Sequence, residues 1–271
     1  MKSFKQHIYE KLKVGVKNTT KHTLFPKTKG ELQKMIKDEI YRRGNECSLN
    51  HIDVSKITDM SDLFYYSTFN GDISNWDVSN VTDMMGIFWG SNFNGDISNW
   101  DVSNVENMQS MFNYSSFNKD ISKWDVSKVK DMNNMFSYSK FNGDISNWDV
   151  SSVTDMISMF EGSKFNGDIS KWDPWNVTDM SKMFDYSIFD GDISNWDVSN
   201  VENMSEMFYN SNFDRDISNW DVSNVTDMYG MFAHSKFNGD IYDWDVSSVT
   251  DMRYMFYDSP LEKNPPEWYH F

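Results

Sequence analysis

Nine aspartates, Asp53, Asp77, Asp101, Asp125, Asp149, Asp173, Asp197, Asp221 and Asp245, recur at strict 24-residue intervals. Stacked in file, such carboxylates would form an anionic strip able to hold cations or a basic protein. Neighbours about 5 Å apart repel by about 0.8 kcal/mol in water, more when desolvated. Hydrogen bonds, salt or a cationic partner must offset that repulsion. Two readings follow. In the first the strip is a binding site. In the second, which is preferred, each Asp accepts hydrogen bonds from local backbone and Ser hydroxyls in a turn. Calcium is compatible with the first reading but is not favoured, and no cofactor is called for. A second column, Asp72, Asp96, Asp120 and onward, follows Asn-Gly in most units and reads as structural turn chemistry.

One unit departs from the pattern: Lys171-Trp172-Asp173-Pro174-Trp175. Pro174 stands where other units carry Val, and Trp175 where they carry Ser. An outward Trp175 would be a single aromatic anchor for a ligand. The competing reading is a local bulge that turns Trp175 inward. For catalysis the chain is poor. His7, His22, His51, His234 and His270 form no metal-spaced pair and no triad. Cys47 is the only cysteine, with no His near it in sequence, and reads as a packed thiol. No glycine-rich phosphate loop is present. The expectation is a protein that is not an enzyme and has no metal centre.

Charge divides the chain. Residues 1–44 carry 12 Lys and Arg against 4 Asp and Glu, and the remainder carries 13 against 37. An acidic body would repel nucleic acid and anionic membrane. The basic start, with Phe4, Ile8 and Leu12 at i, i+4 and i+8, reads as a short amphipathic arm that docks a partner, or as a solvated tail. The N-terminus lacks the apolar run of a secretory signal and an early lipid-attachment Cys, and no stretch reaches transmembrane length. Localisation is left open: cytoplasmic or virion-associated as written.

Positioning such columns requires a repeat. Trp76, Trp100, Trp124, Trp148, Trp172, Trp196, Trp220 and Trp244 keep the same 24-residue step, a period typical of solenoids. Within one unit, Ile73-x-x-Trp76-x-Val78 has the L-x-x-L-x-L spacing of leucine-rich repeats, and Trp76 and Val78 would share one face of a strand. Met84, Ile87 and Phe88 stand at i, i+3 and i+4 and predict a short helix begun at Thr82–Asp83. The expected fold class is an α/β repeat solenoid, leucine-rich-repeat-like, with a parallel sheet on one side and short helices on the other. The indoles would stack into a continuous core. The expected organisation is a basic arm (1–27), an N-terminal capping helix (28–48) opened by Thr28-Lys29-Gly30-Glu31, and the repeat body (49–271), closed by Pro265-Pro266. The outer positions of the expected helix vary between units and are rich in Tyr and Trp, as in Tyr65-Tyr66, Trp89-Gly90 and Asp185-Tyr186. They give a second candidate binding face, or mark relaxed constraint on exposed positions.

The motif set FNGDISNWDVSNVTDM, followed by Met-Phe-x-x-Ser, resembles the BspA-type leucine-rich-repeat surface proteins and the related repeat domain of bacterial lipoproteins. The resemblance runs from Leu49 to Trp268. It implies a leucine-rich-repeat-like fold, a bacterial or phage origin, and binding or adhesion rather than catalysis; family members are often exported to the cell surface. The functional expectation is a binding scaffold for a protein or host-surface ligand. The alternative is a structural or cargo component of a larger assembly, such as a phage virion, docked by the N-terminal arm.

Overall fold

A computed structural model describes residues 21–270. Most of the expected basic arm, and the amphipathic spacing within it, lies outside these residues.

The chain winds into a stack of coils, one 24-residue unit per coil. Residues 24 apart form isolated parallel bridges, Asp59 with Asp83, Asp83 with Asn107, and so on to Asp227 with Asp251. Each bridge is one residue long, and no sheet is built from them. The parallel sheet and the short helices expected of an α/β solenoid are therefore absent from the described residues. The Trp-x-Val alternation lies between two tight turns, one closed by Trp76 N–H donating to the Ile73 carbonyl and one by Val81 N–H donating to Val78, at 3.1 and 2.9 Å. A chain that turns at both ends of three residues has no room for a pleat.

The segment that mimics a helix is also a run of turns. Ile87, Trp89 and Ser91 donate three residues back, to Met84, Gly86 and Phe88. The alternate amides of Met84, Gly86, Phe88 and Gly90 donate instead to the next coil, to Asn107, Gln109, Met111 and Asn113 at 2.7–3.0 Å. No i to i−4 ladder can form when half the amides are committed elsewhere. This geometry places every fourth residue in the left-handed region. Gly86 and Gly90 lie at φ 58° and 64°, and Tyr114, Asn134 and Tyr138 adopt the same conformation in later coils.

The core is a set of columns. Trp76 stacks on Trp100 with ring centroids 6.4 Å apart and planes 6° from parallel. Phe88 meets Phe93 of its own coil at 4.3 Å and Phe112 of the next at 5.7 Å. Ile73, Val78, Val81, Met84 and their equivalents fill the space between, almost all buried. Each indole N–H also reaches back to the preceding coil: Trp100 Nε1 donates to the Ile73 carbonyl at 3.2 Å, and the pattern continues to Trp268 on Ile241. Side-chain amides add further staples. Asn70 Oδ1 accepts from Asn94 N–H, and Asn104 Nδ2 donates to the Ser79 carbonyl, both at 2.8 Å.

At the N-terminal end, α1 (Lys29–Arg43) covers the first coil, with Leu32 and Ile36 in the core. Thr28 Oγ1 caps it by accepting from Glu31 N–H. Buried Glu39 is held by Arg43, Arg42 and His51. The Arg43 hydrogen bond is the main cause of its lowered pKa. Cys47 is buried beneath this cap, and burial pushes its thiol pKa up. A single 3-10 turn (Pro260–Glu262) precedes the C-terminal segment, where Trp268 continues the indole column.

Candidate functional site: the tyrosine-bearing outer face

The Asp column that follows the tryptophans is exposed and locally bonded. Asp77 Oδ1 accepts from Ser79 N–H at 3.2 Å and from its hydroxyl at 2.6 Å. Asp101, Asp125, Asp149, Asp197 and Asp221 repeat this double contact with the Ser two residues on. Asp245 accepts the Ser247 amide. The Ser hydroxyl is the leading cause of the lowered pKa at Asp125, Asp221 and Asp245. The Asp72 column makes the same turn with Ser74 and its equivalents. Every Asp-x-Ser in the repeat is thus a turn-closing unit. Among the described residues, no group of three or more His, Cys, Asp or Glu side chains is arranged to hold a metal ion.

Asp173 differs. With Trp175 in place of Ser it accepts no hydrogen bond among the described residues. Pro174 is buried in the Val position and Trp175 is exposed. Pro fits because the matching amides of Val78 and Val102 make no hydrogen bond, and the turn survives as Val177 N–H to the Pro174 carbonyl at 2.9 Å. Trp175 therefore faces outward without a bulge.

A third Asp column is less visible in the sequence. Asp83, Asp131, Asp155 and Asp179 occupy the bridge positions, half-buried, and accept amide hydrogen bonds from two residues on. Burial, with the charges of Asp155 and Asp83, raises the pKa of Asp131. Asn107 and Asn203 interrupt this column, and Asn203 Nδ2 donates to Asp179 at 3.0 Å. The nominal helix-start Asp is thus an interlayer residue.

Exposure on the turn run is concentrated in the column of Tyr66, Tyr114 and Tyr138, whereas Asn113, Ser137, Asp185 and Ala233 in the adjacent column are buried. Tyr65, Tyr66, Tyr114, Tyr138, Tyr186, Tyr254 and Tyr257 are exposed here. One register position changes chemistry at almost every coil: Tyr65, Trp89, Asn113, Ser137, Glu161, Asp185, Tyr209, Ala233, Tyr257. Four buried side-chain polar atoms lack a partner among the described residues, and three of them sit in this one column: Trp89 Nε1, Asn113 Oδ1 and Asp185 Oδ1. They line two cavities. Trp89 and Asn113 face one of about 750 Å³ with Tyr65, Gln109 and Asn134. Asp185 faces one of about 510 Å³. Unpaired buried polar groups cost stability, and three of the four fall in this single variable column.

The electrostatics of the second cavity are distinctive. Burial first, then the charges of Glu161 and Glu206, push the Asp185 pKa up to about 7. Lys182, the nearest cation in its own coil, is engaged by Glu206 at 2.9 Å. Tyr138 donates to Glu161 at 3.0 Å. Aromatic rings run on from there: Tyr186 to Tyr209, Tyr209 to His234 and His234 to Tyr257, at 5.2–5.6 Å. In the sequence Asp185-Tyr186 stand out only as variable outer positions. The signal available was the 24-residue step that puts Glu161 beside Asp185 and Glu206 beside Lys182.

No helix of the described residues is long and apolar enough to cross a membrane. No curated protein and no solved structure matches the chain. One family does, three times in overlapping tandem, over residues 31–140, 113–211 and 185–269. Together these matches span the cap and every coil, and the chain belongs to that repeat family, described as Mycoplasma protein of unknown function, DUF285.

Proposed function

We propose that the chain is a non-catalytic binding scaffold that engages a protein or cell-surface ligand through its tyrosine-bearing outer face. The observation that carries this reading is the contrast between columns. The core positions scarcely change from unit to unit, whereas several columns of the turn run change at nearly every step, and one of them holds three unpaired buried polar atoms. Exposed tyrosines suit this role, since they offer large contact area at little entropic cost. The resemblance to BspA-type surface proteins supports adhesion as the setting. Trp175 and the unbonded Asp173, with the other exposed aspartates Asp77 to Asp245, form a second surface available to a basic partner.

The test compares attachment of the labelled full chain to intact host cells with that of a variant carrying Tyr114→Ser, Tyr138→Ser and Tyr186→Ser. The variant is expected to melt cooperatively and to lose at least tenfold in attachment. Equal attachment by a folded variant would remove the outer face from the account.

A further inference from the structure

The cavity beside Asp185 sits between a carboxylate with one oxygen left without a partner and a wall of tyrosine rings. Asp185 is 5% exposed, and its Oδ1 has no hydrogen-bond partner. Its charged neighbours are Glu161 in the preceding coil, Lys182 in its own and Glu206 in the next, with the phenols of Tyr138 and Tyr209 also nearby, and His234, paired with Asp258, lines the far side of the cavity. Lys182 is already paired with Glu206, so Asp185 and Glu161 are left as two carboxylates in excess. Tyr186, Tyr209, Tyr254 and Tyr257 line the same cavity. Aromatic faces attract cations, most strongly organic ones that shed water readily. On the same face, Arg253 already lies over the Tyr229 ring, 5.9 Å from its centroid. A calcium ion would need six to eight oxygen ligands, which tyrosine rings do not provide.

We propose that this cavity binds an organic ammonium group, held by the Asp185 carboxylate and enclosed by the tyrosine rings. The inference rests on the outer face being the binding surface, and names the chemistry one part of it recognises. The group belongs either to a lysine side chain of a protein or to a quaternary headgroup of the choline type. Because burial and Glu161 and Glu206 favour protonated Asp185, a bound cation and the carboxylate proton exclude one another. Binding therefore weakens as pH falls.

The experiment titrates the full chain with choline chloride, with Nα-acetyl-lysine methylamide, and with 3,3-dimethylbutan-1-ol, the neutral isostere of choline. Calorimetry or chemical-shift changes at the tyrosines give the readout, at pH 8 and pH 6. At least one ammonium compound is expected to bind saturably, several-fold more weakly at pH 6, and at least tenfold more weakly in Asp185→Asn. The isostere is expected not to bind. Preference for the lysine derivative assigns a protein source, and preference for choline a headgroup source. Binding of the isostere as tight as choline, unchanged binding in a folded Asp185→Asn, or no binding of either cation overturns the proposal. If cell attachment through the tyrosine face persists in that case, the ammonium site alone has failed.

Discussion

The indole N–H of Trp148 donates to the carbonyl of Ile121, 27 residues earlier and one coil below, at 3.2 Å. That carbonyl also accepts the Trp124 amide of its own coil at 3.1 Å. The indole therefore does more than fill volume: it links adjacent layers through a shared acceptor. Phenylalanine would stack but could not donate. Trp148→Phe is expected to lose one buried hydrogen bond and leave a small void, costing about 2–3 kcal/mol. Urea denaturation of the variant beside the parent protein measures the loss.

The left-handed turn positions make opposite demands at neighbouring sites. Gly162 lies at φ 59°, and a Cβ there would approach the Tyr138 ring to 2.5 Å. Gly162→Ala is expected to destabilise by about 1–3 kcal/mol, from strain and the displaced ring. Ser158 is also left-handed, at φ 54°, and carries a Cβ where none is needed. Ser158→Gly is expected to be neutral or stabilising by up to about 1 kcal/mol. Thermal melts should place Gly162→Ala below the parent protein and Ser158→Gly at or above it.

The period and the buried columns were legible in the sequence because the 24-residue step of Trp76, Met84, Phe88 and Phe93 is unbroken and apolar. The local backbone was not. Met84, Ile87 and Phe88 at i, i+3 and i+4 imitate a helix face, yet successive three-residue turns return the same positions inward. Trp76-x-Val78 imitates a strand, yet turns close on both sides of it. The contrary signal was the glycine at positions 86, 90, 162 and 230, all at positive φ. Such recurrence inside a nominal helix argues against one. In the outer face, the tyrosines were visible as variable positions. The unpaired Asp185 was not, because its state depends on Glu161 and Glu206 in other coils.

Asp125 and Asp173 separate turn chemistry from surface charge. Asp125 accepts two bonds from Ser127, whereas Asp173 accepts none among the described residues. Asp125→Ala is expected to cost about 1 kcal/mol, and Asp173→Ala less than about half of that. The lowered pKa at Asp125 means that its contribution is complete above the ordinary carboxylate range. It fades as pH falls through the still lower folded value. The difference between the two variants should therefore be present at pH 7 and shrink in strong acid.

Asp185 reverses that sign. Its folded pKa of about 7 stands above the ordinary value of 3.8, so its ionised form burdens the folded state at pH 8. The burden is relieved as pH falls from about 7 toward 4. Asp185→Asn, which removes the charge, is expected to stabilise the protein at pH 8 by about 2–4 kcal/mol, and to do so much less near pH 4. Denaturant midpoints across this range give the comparison. A stabilising change at a proposed binding site is the usual mark of a residue retained for function.

Indole N–H exchange reports on the layer-joining bonds one tryptophan at a time. Nine of the eleven tryptophans donate Nε1 to the coil behind, from Trp76 on Leu49 to Trp268 on Ile241, while Trp175 is exposed. With nitrogen-15 labelling, the interior members Trp100 to Trp220 should exchange orders of magnitude more slowly than Trp175. Uniformly fast exchange would mean that the indoles do not join the layers, and the division between a fixed interior and a binding exterior would fall with them.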